Sequence, residues 1–288
     1  MLAGHPTAAR AGLAALAASW GLIAVLVGWV DLGAPALAFL RLALGTLTLA
    51  LLALALRISL DPRGHLARLG VLGVLQGAHW LLFFETVKLG SVALAVLTFY
   101  TAPVLLALCA PAVLGERVSK VAVAALPVGL AGVALVALGG DTSGGFSWTA
   151  LGSGLGSAAT FAALVLVSKR LLAGGVPAAT IAFWDCLVGA VTVLPVILFA
   201  GRLLPRGAGE WAAVLALGVA FTGLSTLMYT ALLRRVTAQT AGILTFLEPV
   251  AAVGLAALIL DEPLDAATLA GGLFVLGAGV AVVALDPG

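Results

Sequence analysis

The chain has 288 residues, of which 63% are hydrophobic and 9% charged, with a formal net charge of +2. A soluble domain carries about 25% charged residues, and a water-soluble fold of this length could not hide so much apolar surface. The composition therefore excludes a globular domain in water, and the small net charge gives no reason to expect a nucleic-acid partner.

Windows of about 20 apolar residues are the signal for a membrane span. In chain order they lie at 11–30, 35–56, 67–87, 92–114, 119–139, 148–169, 178–200, 210–233, 239–260 and 265–285. The first follows Arg10 and has the look of a secretory leader, but its apolar run is longer than a leader's core, so it is read as a retained span. Connections are short, as at Lys88–Ser91 and Asp261–Leu264, and leave no room for a soluble domain. Cys109 and Cys186 both fall inside apolar runs and read as small buried hydrophobes. No metal-ligand spacing, cofactor motif, His-Glu-x-x-His or Gly-x-Ser-x-Gly occurs, so neither a metal, a cofactor nor an enzymatic activity is expected.

If both termini face the cytoplasm, that side receives ten of the 14 basic residues: Arg10, Arg57, Arg63, Arg68, Arg117, Lys120, Lys169, Arg170, Arg234 and Arg235. Lys88, Arg202 and Arg206 fall opposite, and Arg41 lies within the second span. This positive-inside bias predicts a multi-pass protein of a bacterial inner membrane with cytoplasmic termini.

A shift of 146 residues overlays the end of one half on the end of the other: Pro103 on Pro249, Val104 on Val250, Leu114 on Leu260 and Glu116 on Glu262. The pattern of apolar run, Pro, apolar run, Glu, apolar run is an internal repeat. It divides the chain into 1–141 and 142–288, five spans each. Five is odd, so the copies must be inverted, and the loop charges agree: Gly115–Lys120 is net basic, whereas Asp261–Asp265 is acidic. The expected fold class is thus all-α transmembrane, ten helices in two inverted five-helix repeats. Inverted repeats with interrupted helices are a transporter architecture with its site near the midplane.

The same shift selects a pathway. Gln76, His79, Trp80 and Phe83 are three or four residues apart and share a helix face; their counterparts are Thr222, Ser225, Thr226 and Tyr229. Polar residues within spans face the bundle interior or a cavity, which also suits interhelical hydrogen bonds. Pro103 and Pro249, midway along spans four and nine, each remove a backbone donor and predict a kink usable as a hinge or gate. Candidate substrate contacts are Trp20, Gln76, His79, Trp80, Phe83, Tyr100, Phe161, Ser225, Tyr229, Thr245 and Glu248. Arg41 and Asp185 are assigned to structural pairing or snorkelling, Glu116 and Glu262 to tying neighbouring helices, and Trp148 and Trp211 to the interfacial belt.

Leu244–Val250 followed by Asp261-Glu262-Pro263, and Thr98–Val104 followed by Gly115-Glu116-Arg117, resemble the paired signatures of EamA-type transporters of the drug/metabolite transporter superfamily. Ser19-Trp20-Gly21 and Phe39–Leu42 fit as well, so the resemblance covers nearly the whole chain. It implies ten spans, cytoplasmic termini and metabolite or amino-acid efflux; the aromatic interior is most similar to that of aromatic amino-acid exporters of the YddG type. Glu85, where family members commonly carry Ala, departs from the pattern; its repeat partner is Ala231. The expected function is export of amino acids, aromatic ones first, or of related amphipathic metabolites, by alternating access. The partners are a small-molecule substrate and the lipid bilayer, and a monomer is the expected unit. The alternative is a proton-coupled multidrug efflux pump with Glu248, Glu85 or His79 as carrier. Gly152 and Gly156 suit packing within a monomer as well as dimerisation.

Overall fold

The computed structural model describes residues 6–90, 92–117, 119–139, 147–199, 201–260 and 266–285. Every regular element among them is helical: α1 (Pro6–Gly28), α2 (Ala34–Leu56), α3 (Leu66–Leu89), α4 (Val92–Phe99), α5 (Ala102–Leu114), α6 (Lys120–Gly139) and α7 (Trp148–Ala173). They continue as α8 (Ala178–Ile197), α9 (Gly207–Leu215), a π-helical segment (Ala216–Leu224), α10 (Ser225–Leu233), α11 (Ala238–Leu244), α12 (Leu247–Leu260) and α13 (Ala266–Leu285). Helices and closed barrels alone satisfy every backbone group without water, so a chain this apolar has few other choices.

These elements make ten rods, because α4 and α5 continue one another, as do α9, the π segment and α10, and then α11 and α12. Eight rods are long and apolar enough to cross a bilayer. The described apolar stretches of the other two, Lys120–Leu135 in α6 and Leu269–Leu285 in α13, are shorter. The protein is thus an integral membrane protein crossing the bilayer many times. Large apolar side chains such as Leu54, Leu108, Leu258 and Leu273 are exposed on the outer surface of the bundle, where lipid is their solvent.

The kinks expected at Pro103 and Pro249 are full interruptions, at Tyr100–Thr101 and Thr245–Phe246, two to four residues ahead of the proline. Pro103 cannot donate to the carbonyl a turn earlier, and the backbone tightens around it: Thr101 N bonds to Thr98 O at 3.1 Å and Val104 N to Thr101 O at 3.0 Å. At the second break, Thr245 N bonds to Gly242 O and Glu248 N to Thr245 O. Each break also turns a threonine hydroxyl onto its own chain, Thr101 to Thr98 O and Thr245 to Gly242 O. Those bonds add a second donor to carbonyls that already accept the tightened amide three residues on.

Small residues let the rods approach. A Cβ on Gly21 of α1 would lie 2.5 Å from the Ala252 backbone nitrogen in α12, so only glycine fits there. In α3, Gly77 meets Thr192 and Gly189 of α8 as closely. Packing pairs come in sets related by exchanging the halves: α7 lies on α4 and α5 as α1 lies on α11 and α12, and α3 lies on α8 as α2 lies on the π segment. The α6–α13 and α2–α8 pairs map onto themselves. One exchange fails. The half-rod α5 packs on α11, but α4 makes no comparable packing on α12 among the described residues.

Candidate functional site

The exchange-related packing leaves α1, α3, α4, α7, α10 and α12 around a common interior, and their aromatic residues meet there. The His79 ring lies 5.1 Å from Phe99, 5.5 Å from Phe161 and 5.1 Å from Trp80. Phe83 is edge-on to Phe99, Phe99 to Tyr100, and Tyr100 in turn lies 5.8 Å from Phe246. On the other side Trp20 is 5.7 Å from Tyr229 and donates its indole N–H to Ser225 at 2.5 Å. Trp20, Trp80, Phe83, Phe99 and Phe161 are only half-buried although all are ringed by other helices.

Two charges border this aromatic lining. Arg41, 6% exposed, donates from Nε to Thr222 Oγ1 at 3.2 Å and holds its guanidinium 4.7 Å from the centre of the Trp80 ring. Thr222 donates its own hydroxyl to Leu217 O at 2.8 Å, five residues back. That spacing belongs to a π-helical turn, a feature common at functional sites, and the widened turn presents Oγ1 to α2. Glu248 is half-buried in the first turn of α12, with the Tyr100 side chain beside it. Arg41 and Glu248 lie within electrostatic reach of each other but form no ion pair.

Most residues expected from the sequence therefore converge: Trp20, Ser225 and Tyr229 on one wall, His79, Trp80, Phe83, Tyr100 and Phe161 on the other, with Glu248 reached through Tyr100. The fit is incomplete. Gln76 leans on Gly189 of α8 rather than joining the aromatic lining, and Thr226 sits beside the Cys186 thiol. Thr245 is buried with its hydroxyl bonded to its own helix. His79 is buried and tied through Nδ1 to Ser157, 2.9 Å from its hydroxyl and 3.2 Å from its carbonyl oxygen. Arg41 belongs to the site although the sequence suggested pairing or snorkelling. It pairs with no carboxylate among the described residues, bonding instead to the Thr222 hydroxyl over the Trp80 ring, and it is buried, so it does not snorkel. The outlying carboxylates stand elsewhere: Glu85 is exposed in a lateral groove with Lys88 and Phe199, and Asp185 is buried with Oδ1 unpartnered. Trp148 and Trp211 are exposed, as an interfacial belt requires.

One end of the interior is tied shut by polar contacts between halves. Glu116, in the turn after α5, pairs with Lys169 of α7 and accepts from the Ala238 amide at 2.8 Å. Lys169 also donates to Val236 O. Gln239 bonds in both directions, accepting from Ser119 N and donating to Arg117 O, while Arg170 places Nε and Nη2 on Val113 O. Glu116 thus ties neighbouring helices, the role its sequence position suggested; Glu262 lies outside the described residues. At the opposite end Arg202 grips Glu210 with bonds of 2.7 and 2.8 Å, and Asp31 N donates to the same carboxylate. That cluster joins the turn before α2 to the start of α9 and does not reach α4 or α12. No group of three or more metal-ligating side chains occurs among the described residues.

A many-span helical bundle with broken rods around a polar-aromatic interior is the build of a membrane solute transporter. The chain belongs to the EamA-like transporter family, whose model matches it twice, at residues 10–138 and 148–285. An uncharacterised transporter of Archaeoglobus fulgidus is 30% identical over 263 residues, 91% of each chain. An aromatic amino acid exporter, YddG, of Ancylobacter novellus is 32% identical over 218 residues, 74% of each chain. The uncharacterised transporter YxxF of Bacillus subtilis is 28% identical over 61% of this chain and 56% of its own length. A solved crystal structure 22% identical to this chain shares its fold, with a TM-score of 0.81 over 96% of this chain and 95% of that one.

Proposed function

We propose that the protein exports amino acids with aromatic side chains, or closely related amphipathic metabolites, across a bacterial inner membrane by alternating access. The observation that carries this reading is the chamber itself, a ring of half-buried aromatic side chains with one guanidinium and one carboxylate at its border. Flat apolar solutes gain from ring contacts, and the lack of an Arg or Lys cluster disfavours phosphorylated solutes. The likeness to the YddG exporter points to the same solutes.

In this reading all ten rods cross the membrane as two inverted repeats, residues 1–141 and 142–288, with both termini in the cytoplasm. The repeated family match and the exchange-related packing support the pairing of halves. Inversion follows from five spans per half, and sidedness from the basic residues at the tied end. That end is then the cytoplasmic one, closed here, and the chamber opens between α4 and α12. Pro103 and Pro249 act as the hinges, and the substrate contacts are Trp20, Gln76, His79, Trp80, Phe83, Tyr100, Phe161, Ser225, Tyr229, Thr245 and Glu248. The working unit is a monomer.

Purified protein in proteoliposomes, assayed with aromatic and aliphatic amino acids and with planar drugs under imposed pH gradients, tests the proposal. Saturable movement of aromatic amino acids is expected. Alanine at Tyr100 or Phe161 should reduce it at least tenfold, while alanine at the exposed Trp148 should not. Transport confined to planar cations, and dependent on a pH gradient, would replace this reading by a proton-coupled drug pump with Glu248 as carrier.

A further inference from the structure

We infer that Arg41 and Glu248 form a zwitterion slot, in which Arg41 receives the carboxylate and Glu248 the ammonium group of one solute molecule. The inference rests on the reading of the chamber as the amino-acid site and adds how the backbone end of the solute is recognised.

A charge at mid-membrane is costly and normally finds a partner. Arg41 is buried, yet it meets no carboxylate among the described residues: its recorded contacts are the neutral Thr222 hydroxyl, through Nε alone, and the face of Trp80. Bonding at Nε fixes the guanidinium plane and leaves its two terminal nitrogens, the fork that matches a carboxylate, without an acceptor among the described residues. Glu248 likewise meets no cation among the described residues and is half-buried instead of enclosed. The two charges form no ion pair, yet both border α1: Thr222, which holds Arg41, lies one turn before Ser225, the acceptor of Trp20, and Gly21 meets Ala252, one turn beyond Glu248.

A singly charged solute would neutralise one of them and leave the other uncompensated in a poorly hydrated chamber. A solute with both charged groups on one carbon compensates both at once, and its ring falls against the aromatic lining beside them. That chemistry is an α-amino acid with a planar side chain. The net charge of the pair is zero, so the slot also disfavours inorganic anions and simple cations.

The test uses the full-length protein in detergent and in proteoliposomes with four probes that share one ring: tryptophan, tryptamine without the carboxylate, indole-3-propionate without the ammonium, and indole. Wild type should bind tryptophan at least tenfold more tightly than each of the other three. Arg41→Gln should weaken tryptophan at least tenfold while leaving tryptamine within twofold, and Glu248→Gln should do the same for tryptophan against indole-3-propionate. If wild type transports tryptophan but binds all four probes alike, the slot is overturned and the exporter reading stands. If a folded Arg41→Gln variant weakens all four equally, Arg41 is structural and the slot fails. If none of the probes binds or moves, the aromatic reading falls and this assignment with it.

Discussion

The two broken rods are built on one sequence pattern but meet different surroundings. In the second, all seven residues of α11 are buried, and Gly242 lies so close to α5 that a Cβ there would come within 2.9 Å of Leu106 and 3.2 Å of Pro103. In the first, Ala95 and Thr98 of α4 are buried but Leu94, Val96, Leu97 and Phe99 are only half-buried, and α4 makes no comparable packing on α12. The position of α4 that corresponds to Gly242 is Val96. Repetition supplies two potential seals, and small differences in the copies decide which is closed in this state: a glycine against a proline on one side, a valine on the other. The Glu116–Lys169 pair adds to the bias, since the stretch of α1 that corresponds to Lys169 is the apolar run Ile23–Val27.

The largest effect on that difference should come from Lys169→Ala. It leaves Glu116, whose side chain is 13% exposed, without its cation, and stranding one member of a buried pair costs on the order of 3 kcal/mol. The expected outcome is a lower Tm and an opened end. With Cys109 and Cys186 replaced, a cysteine at Ala241, 1% exposed in the sealed state, should become reactive to a membrane-impermeant maleimide. Unchanged reactivity would mean that the polar ties do not hold this end shut. Adding Glu116→Ala to Lys169→Ala should recover part of the lost stability.

Gly242→Val comes next. The added methyl groups have no room between α11 and α5, and overpacking of this kind costs about 1–3 kcal/mol. Labelling at position 241 should rise and transport should fall. The reciprocal change, Val96→Gly, costs about 1 kcal/mol in helix propensity but removes the bulk that keeps α4 off α12. Together the two substitutions should shift closure toward the other end, seen as exchanged labelling of cysteines placed near each break.

Much of this was readable from residues alone, for stated physical reasons. The spans follow from hydropathy because lipid demands about 20 apolar residues, and the two breaks follow from Pro103 and Pro249 because proline has no N–H. The aromatic contacts of His79, Trp80 and Phe83 followed from helical spacing. Arg41 was misplaced for an equally physical reason. α2 is apolar all round, so no hydrophobic stripe shows which face Arg41 occupies, and its acceptor Thr222 lies 181 residues away. Nothing local in Ala216–Leu224 announces a π turn. Gln76 kept the predicted helix face, yet the rod is flanked on two sides and Gln76 fell toward α8. The failure of α4 to meet α12 is a property of one conformation, and a single sequence encodes both.

Thr222→Val acts on the middle of the bundle and asks whether the chamber and the sealed end are separable. It removes the acceptor of Arg41 Nε and the donor to Leu217 O, a change worth about 1–3 kcal/mol when a buried partner is left unsatisfied. Freed from Thr222, the guanidinium can rotate off Trp80, so solute affinity should drop severalfold. Labelling at 241 should stay at the wild-type level, because no bond of the tied end runs through Thr222. A rise would show that the π turn also holds the seal.

The smallest effect is expected from Asp185→Asn. Asp185 is 4% exposed, its Oδ1 has no partner, and it belongs neither to the aromatic lining nor to the ties at either end. An amide of the same shape removes a group whose charged form would be costly in this setting, so Tm should stay level or rise by a degree or two. Labelling at both ends should be unchanged, and so should the pH dependence of transport. A lost or shifted pH profile would instead place Asp185 on a proton path, and the asymmetry between the two ends would then be driven by protonation in α8 as well as by packing around α11.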